Sequence, residues 1–179
     1  MSSFKLDVAD LAWIAGAKDD PQDYCLHGRA TAIIGSRALT YDCTVSAAAL
    51  YLLKTLTEDH ILGEDNQLFP CCGHFLVAND GLTNVTIIGC DSGVDWSVFH
   101  EEQHVRLVLE DGTQELVPLE HYCKEVFRFA DPIEAYYRAC SPKALPEDAF
   151  KRNGYLAFWN EWRRRRADGI TPFIPIPHT

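Results

Sequence analysis

Residues 94–117 alternate between apolar and polar. Val94, Trp96, Val98 and His100 stand against Asp95, Ser97, Phe99 and Glu101, and Val105, Leu107 and Leu109 against His104, Arg106 and Glu110. A period of two suits a strand with one buried and one wet face, and a helix cannot use it. Asp111-Gly112 supplies a two-residue hairpin turn, after which Thr113 to Val117 returns. Upstream, Leu68 to Ala78 and Asn84 to Cys90 read as strands, joined by Asn79-Asp80-Gly81 and closed by Asp91-Ser92-Gly93. Phe4 to Asp7 adds a first strand, and Tyr24 to Ile34 with Arg37 to Thr40 a hairpin turned at Gly35-Ser36. An antiparallel meander of about five to seven strands, solvated on one face, accounts for this pattern.

Between the first hairpin and the later strands, residues 44–59 switch to helical spacing. Val45, Ala49, Leu52, Leu53 and Leu56 fall on one face, and Asp42 or Thr44 can serve as N-cap. Leu50 and Tyr51 widen the apolar surface, so this helix is expected to be covered on more than one side. Pro118 opens a second helix with Tyr122, Cys123, Val126, Phe129 and Ala130 on one face. Asp131-Pro132-Ile133-Glu134 has the order of a fresh helix start, which predicts two helices meeting at a bend, the second ending near Cys140. Ser141 to Pro146 reads as a linker. The last helix spans about Arg152 to Arg166, with Tyr155, Phe158, Trp159 and Trp162 as its apolar face. Ile170 to His178 contains three prolines and reads as extended.

The fold class is therefore α+β: an antiparallel β-meander sheet, one helix after the first hairpin, and C-terminal helices packed on the sheet. Residues 1–140 form the α+β core domain. Residues 141–179 add a C-terminal helix and a proline-rich tail, expected to pack on the same domain.

At 179 residues and 47% apolar composition, the chain can bury roughly two thirds of its unfolded surface, so folding does not require a disulfide or a metal. Seven cysteines without framework spacing fit reduced thiols and a cytoplasmic location. The apolar stretch from Val8 to Ala17 is interrupted by Asp10 and preceded only by Lys5, which is a poor secretory leader. No run reaches the roughly 18 apolar residues of a membrane-spanning helix. The net charge is −10; residues 1–150 hold ten Lys/Arg against 24 Asp/Glu, and residues 151–169 six against two. An acidic body disfavours nucleic acid and suits a basic protein partner.

The residues with chemical potential are clustered. Cys25-Leu26-His27-Gly28 and Cys71-Cys72-Gly73-His74 are compact Cys/His pairs, with Cys90 and His100 on neighbouring strands. As a zinc site, Cys25, His27, Cys72 and His74 supply four donors, with Gly28 and Gly73 allowing close approach. The set has no Cys-x-x-Cys, and adjacent Cys71 and Cys72 point to opposite faces of a strand. As a thiol enzyme, Cys71 or Cys72 is the nucleophile, His27 or His74 the base, and Asp91 or Asp95 the orienting group. Ordinary burial of small residues is the competing reading. Asp91, Asp95, Glu101 and Glu102 surround one turn and read as solvated turn residues or as ligands for a hard cation.

Arg163 to Arg166 follow an aromatic stripe. Trp159, Trp162, Arg163 and Arg166, with Asp91 and Asp95, are the candidate partner-binding residues. The alternative is that the stripe packs internally while the arginines pair with the acidic body. No glycine-rich phosphate loop or nucleophile elbow is present. The expected function is a non-enzymatic binding or interaction protein with a basic protein partner, of which toxin neutralisation is one instance, or one that self-associates. A zinc-binding protein and a thiol-dependent enzyme are the alternatives.

Overall fold

The computed structural model describes residues 4–16, 18–64 and 66–169. It is an α+β fold, and its centre is the helix α1 (Val45–Lys54). Every residue from Val45 to Leu53 is buried, as befits a helix that is apolar all round. The three preceding strands form an antiparallel sheet in the order β1 (Phe4–Trp13), β2 (Leu26–Ile34), β3 (Arg37–Cys43). The first strand is longer than its sequence pattern suggests, because a bulge between Ala9 and Ala12 lets it stay paired to β2 as far as Trp13. Asp10 sits in that bulge at φ 54°, a left-handed conformation that aspartate tolerates better than most residues.

The stretch Leu68 to Ala78, expected as one strand, is divided into β4 (Phe69–Pro70) and β5 (Phe75–Ala78). Their partners are β7 (Gly93–Val94) and β6 (Val85–Ile88). Phe69 faces Val94, Pro70 faces Gly93 and Phe75 faces Ile88. These pairings keep a single register, so the two short ladders are one antiparallel ribbon that opens in its middle. Cys71 to His74 lies there, across from Gly89 to Ser92. The turn at the ribbon's tip is closed by Asn79, whose Oδ1 accepts from the Thr83 and Asn84 N–H groups at 2.9 and 3.1 Å.

A second three-stranded antiparallel sheet has the order β10 (Gln114–Pro118), β9 (His104–Val108), β8 (Ser97–Glu101). The expected meander is thus split into several small sheets. The alternation of Val105, Leu107 and Leu109 is realised as burial, whereas Trp96, Ser97 and Val98 are buried in succession. Asp95 is the reason. Its Oδ1 accepts from His60 Nε2 at 2.7 Å and from the Leu68 N–H at 3.1 Å, and this inward turn carries the chain from the ribbon into the second sheet.

Helix α2 (Leu119–Ala139) is one helix with Pro132 inside it, not two meeting at a bend. Its buried face, Tyr122, Val126, Phe129, Ala130 and Ile133, runs across the proline. The helix also covers the free edge of β1. Glu125 accepts the Leu6 N–H at 3.0 Å, and His121 Nε2 donates to the Phe4 carbonyl at 2.8 Å, which closes an edge that would otherwise invite pairing.

Helix α3 (Ala149–Asp168) is N-capped by Asp148, which accepts the Lys151 N–H at 2.9 Å. It lies against β5 at Gly154, where a Cβ would meet the Leu76 carbonyl and stand 2.8 Å from the Leu76 Cβ. At its far end Glu161 accepts the Val85 N–H of the ribbon at 2.7 Å.

Candidate functional site

Cys25 immediately precedes β2 and His27 lies within it, so both are delivered next to the start of α1. Thr44 is the N-cap of that helix but makes no side-chain cap bond. Its hydroxyl faces His27 Nε2 at 3.4 Å and Cys25 Sγ at 4.0 Å, and Cys25 Sγ and His27 Nε2 are 3.3 Å apart. The Thr44 N–H donates to the Pro70 carbonyl at 3.2 Å, which brings the residue-71 segment alongside. The two Cys/His segments therefore meet in space without pairing as strands.

Their electrostatics disfavour an ionic couple. Burial pushes the Cys25 thiol up to about 12, against the Thr44 hydrogen bond and with smaller contributions from Asp23 and Cys72. Burial also lowers His27, helped by the charge of His74. A protonated thiol is a poor nucleophile, whereas the neutral imidazole beside it is in the form that ligates a metal. The four zinc candidates divide: Cys25 and His27 bond each other, Cys72 turns toward Cys90, and His74 is exposed. Among the described residues no three His, Cys, Asp or Glu side chains converge as a metal-ligand set. The space left by Gly28 and Gly73 is taken by the Ala9 carbonyl and the Ala47 methyl, at 2.8 and 2.6 Å from a Cβ built there.

An open cavity of about 750 Å³ lies beside this group, bounded by the β1–β2 connection, β5 and the start of α3. Ile14, Phe75 and Phe150 stand on its rim at 55%, 52% and 48% exposure. Its walls are aromatic: Tyr24 and Tyr155 have ring centroids 4.9 Å apart, and Phe75 and Phe150 5.6 Å apart. Asp23 is buried and fixes the loop, accepting the Ala15 N–H at 2.9 Å and the Cys25 N–H at 3.1 Å. Asp20 and Lys151 bring the charge to the lining, and His74 and Cys25 also border it. Sequence patterning did not single out this rim. An apolar residue at a loop end or a helix start looks like core until the fold leaves it uncovered.

The residues proposed for a partner surface are placed otherwise. Trp162 is 1% exposed and donates from Nε1 to Glu134 at 3.1 Å. Trp159 is half-buried, edge-on to Tyr137. Arg166 pairs with Asp131 and Glu134, and buried Arg165 with Glu161 and Glu58. Arg163 is exposed, with a 3.3 Å bond to Asn160. Asp95 is held internally by His60, while Asp91 is exposed on the ribbon. His100 bonds Asp59 at 2.8 Å instead of joining the cysteines.

Fold and site together define an α+β chain with an open, aromatic-walled groove beside a buried Cys/His pair. No family model, no curated protein and no solved structure matches the chain. No helix among the described residues is long and apolar enough to cross a membrane.

Proposed function

We propose that this chain binds a basic protein partner, and that the groove between the β1–β2 connection, β5 and α3 takes an apolar segment of that partner flanked by lysine or arginine. One observation carries the reading: Ile14, Phe75 and Phe150 are large apolar side chains left half-exposed around a single cavity. Scattered exposed hydrophobics are ordinary, but several around one concavity mark a contact site. Leu145, next in sequence to the lining residue Pro146, is also exposed.

Charge selects the partner. The chain carries a net charge of −10. Asp20 and Asp23 line the groove against one lysine, Lys151, and Glu147 and Asp148 are exposed next to Pro146. A basic segment is drawn in by this field, and the aromatic walls supply the short-range contact.

The test uses the full chain and two fluorescent synthetic peptides sharing one Phe/Leu core, the first flanked by lysines and the second by glutamates. The lysine-flanked peptide is expected to bind with an affinity that falls as salt is added. Replacing Phe75 and Phe150 together by serine is expected to weaken it by at least about tenfold while the far-UV circular dichroism is unchanged. Binding of neither peptide, equal binding of both, or unchanged binding by the double variant refutes the proposal.

A further inference from the structure

The opened middle of the ribbon gathers three thiols outside the groove. Cys71 and Cys72 are half-buried and Cys90 is exposed. Carrying the ribbon's register across the gap sets Cys71 opposite Ser92 and Gly73 opposite Cys90. Cys71 keeps that register, its N–H donating to the Ser92 carbonyl at 2.9 Å. Cys90 does not: its N–H donates to Cys72 Sγ at 3.0 Å, so a sulfur stands where the ladder would place a carbonyl. The backbone permits this because residue 89 is glycine, with the Cys72 carbonyl packed where a side chain would be.

The neighbouring Ser92 N–H first, then the Cys72 and Cys71 thiols, hold Cys90 below the ordinary thiol range. Cys72 is raised, chiefly by its bond to Cys90. Cys90 is also the exposed member of the pair, placed to meet a reagent from solvent. Cys72 is the neighbour whose sulfur already touches Cys90, through the 3.0 Å N–H···S bond.

We propose that Cys90 and Cys72 form a two-electron thiol–disulfide pair oxidised by hydroperoxides, with Cys90 as the attacking thiolate and Cys72 as the resolving thiol. The Cys90 thiolate attacks the terminal peroxide oxygen; an S–O bond forms as the O–O bond breaks, and the departing oxyanion takes up a proton. The product is a sulfenic acid at Cys90. Cys72 then attacks the Cys90 sulfur, the S–S bond forms as the S–O bond breaks, and the hydroxyl leaves as water with the Cys72 proton. Two thiols are oxidised by two electrons, and hydrogen peroxide is reduced to two waters. A dithiol reductant reverses the step. The buried thiols Cys25 and Cys43, pushed up to about 12 by burial, stay out of this chemistry.

The experiment treats the full chain with hydrogen peroxide, blocks remaining thiols, and maps peptides without reduction. The expected product has lost two hydrogens, contains a Cys72–Cys90 linked peptide, and is restored by dithiothreitol. In untreated protein, iodoacetamide is expected to modify Cys90 at least about fivefold faster than any other cysteine. Cys90→Ser removes both signals. Cys72→Ser keeps the fast alkylation, and oxidation halts at a Cys90 sulfenic acid that dimedone traps. A linkage at other cysteines, no linkage, or a Cys90 that alkylates no faster in the native than in the denatured chain overturns the proposal. Cys90 is exposed, so its serine variant is expected to fold, with circular dichroism as the check.

Discussion

Replacing Glu161 by alanine should uncouple α3 from the ribbon. The Glu161 side chain is 1% exposed, with Lys54 Nζ at 3.6 Å and Arg165 Nη2 at 3.3 Å from its Oε1. Its other oxygen accepts the Val85 N–H at 2.7 Å. Alanine leaves that buried N–H without its acceptor, which costs about 1–3 kcal/mol. Removing one member of a buried ion pair costs about 3–5 kcal/mol in all. Here the value falls toward the lower end, because Arg165 keeps Glu58 and Thr57 and Lys54 keeps the Val85 carbonyl. Arg164, 39% exposed, adds little. The expected total is about 3–4 kcal/mol, a large part of a typical domain's stability. Glu161→Gln retains an oxygen for Val85 but turns an NH2 donor toward Arg165 and Lys54, so it should cost less than alanine by no more than the Val85 bond, about 1–3 kcal/mol. Urea unfolding followed by circular dichroism reads both as shifts in midpoint at constant slope. A loss under about 1 kcal/mol for alanine refutes the reasoning. Equal losses for alanine and glutamine would leave the Val85 bond without weight.

Two further perturbations are open to direct measurement. Gly154→Ala should lower the melting temperature, although alanine in a helix interior ordinarily gains about 1 kcal/mol over glycine; its Cβ would meet the Leu76 backbone, and a rise in melting temperature would show that α3 can shift away. Burial raises Cys25 and Cys43 from 9.0 to about 12. Their folded values exceed the unfolded one, so the stability they contribute is present below pH 9 and is lost as pH rises toward 12, at up to about 1.4 kcal/mol per pH unit for each thiol. Denaturation midpoints above pH 9 should fall less steeply in Cys43→Ala than in the parent chain, and equal slopes would remove burial of that thiol as a cause.

Local patterning reveals an element only when its own residues decide the outcome. Val105, Leu107 and Leu109 do so, and their alternation is realised as one buried face. The alternation from Val94 to His100 is as regular, yet Trp96, Ser97 and Val98 are buried together. A polar residue bonded inside, as Asp95 is to His60, has the same letter as one in water. Asp131-Pro132 misleads for a related reason. Proline inside a helix costs about 3 kcal/mol, and a local motif counts that cost alone. It cannot count Phe129, Ala130 and Ile133 buried on the opposite face from the exposed proline, or Glu134 holding Trp162 and Arg166 of α3.

The compactness of the two Cys/His segments was legible in the sequence. What each donor faces was not. Thr44 has the sequence of a helix cap, but its hydroxyl is directed at Cys25 and His27; cysteine spacing carries no trace of the groove, which three separate segments assemble. The ribbon links the two proposed sites. His74 and Phe75, which line the groove, follow directly on Cys72 and Gly73 in the unpaired stretch, and Cys90 stands across from that stretch. A Cys72–Cys90 disulfide would replace an N–H···S contact with a covalent bond spanning the gap, joining the strand that carries the groove wall to its partner. Oxidation at the thiols and peptide affinity at the groove are therefore expected to be linked through residues 72–75. Measuring lysine-flanked peptide binding before and after peroxide treatment reads that link, and unchanged affinity would mean that the ribbon's gap and the groove wall move independently.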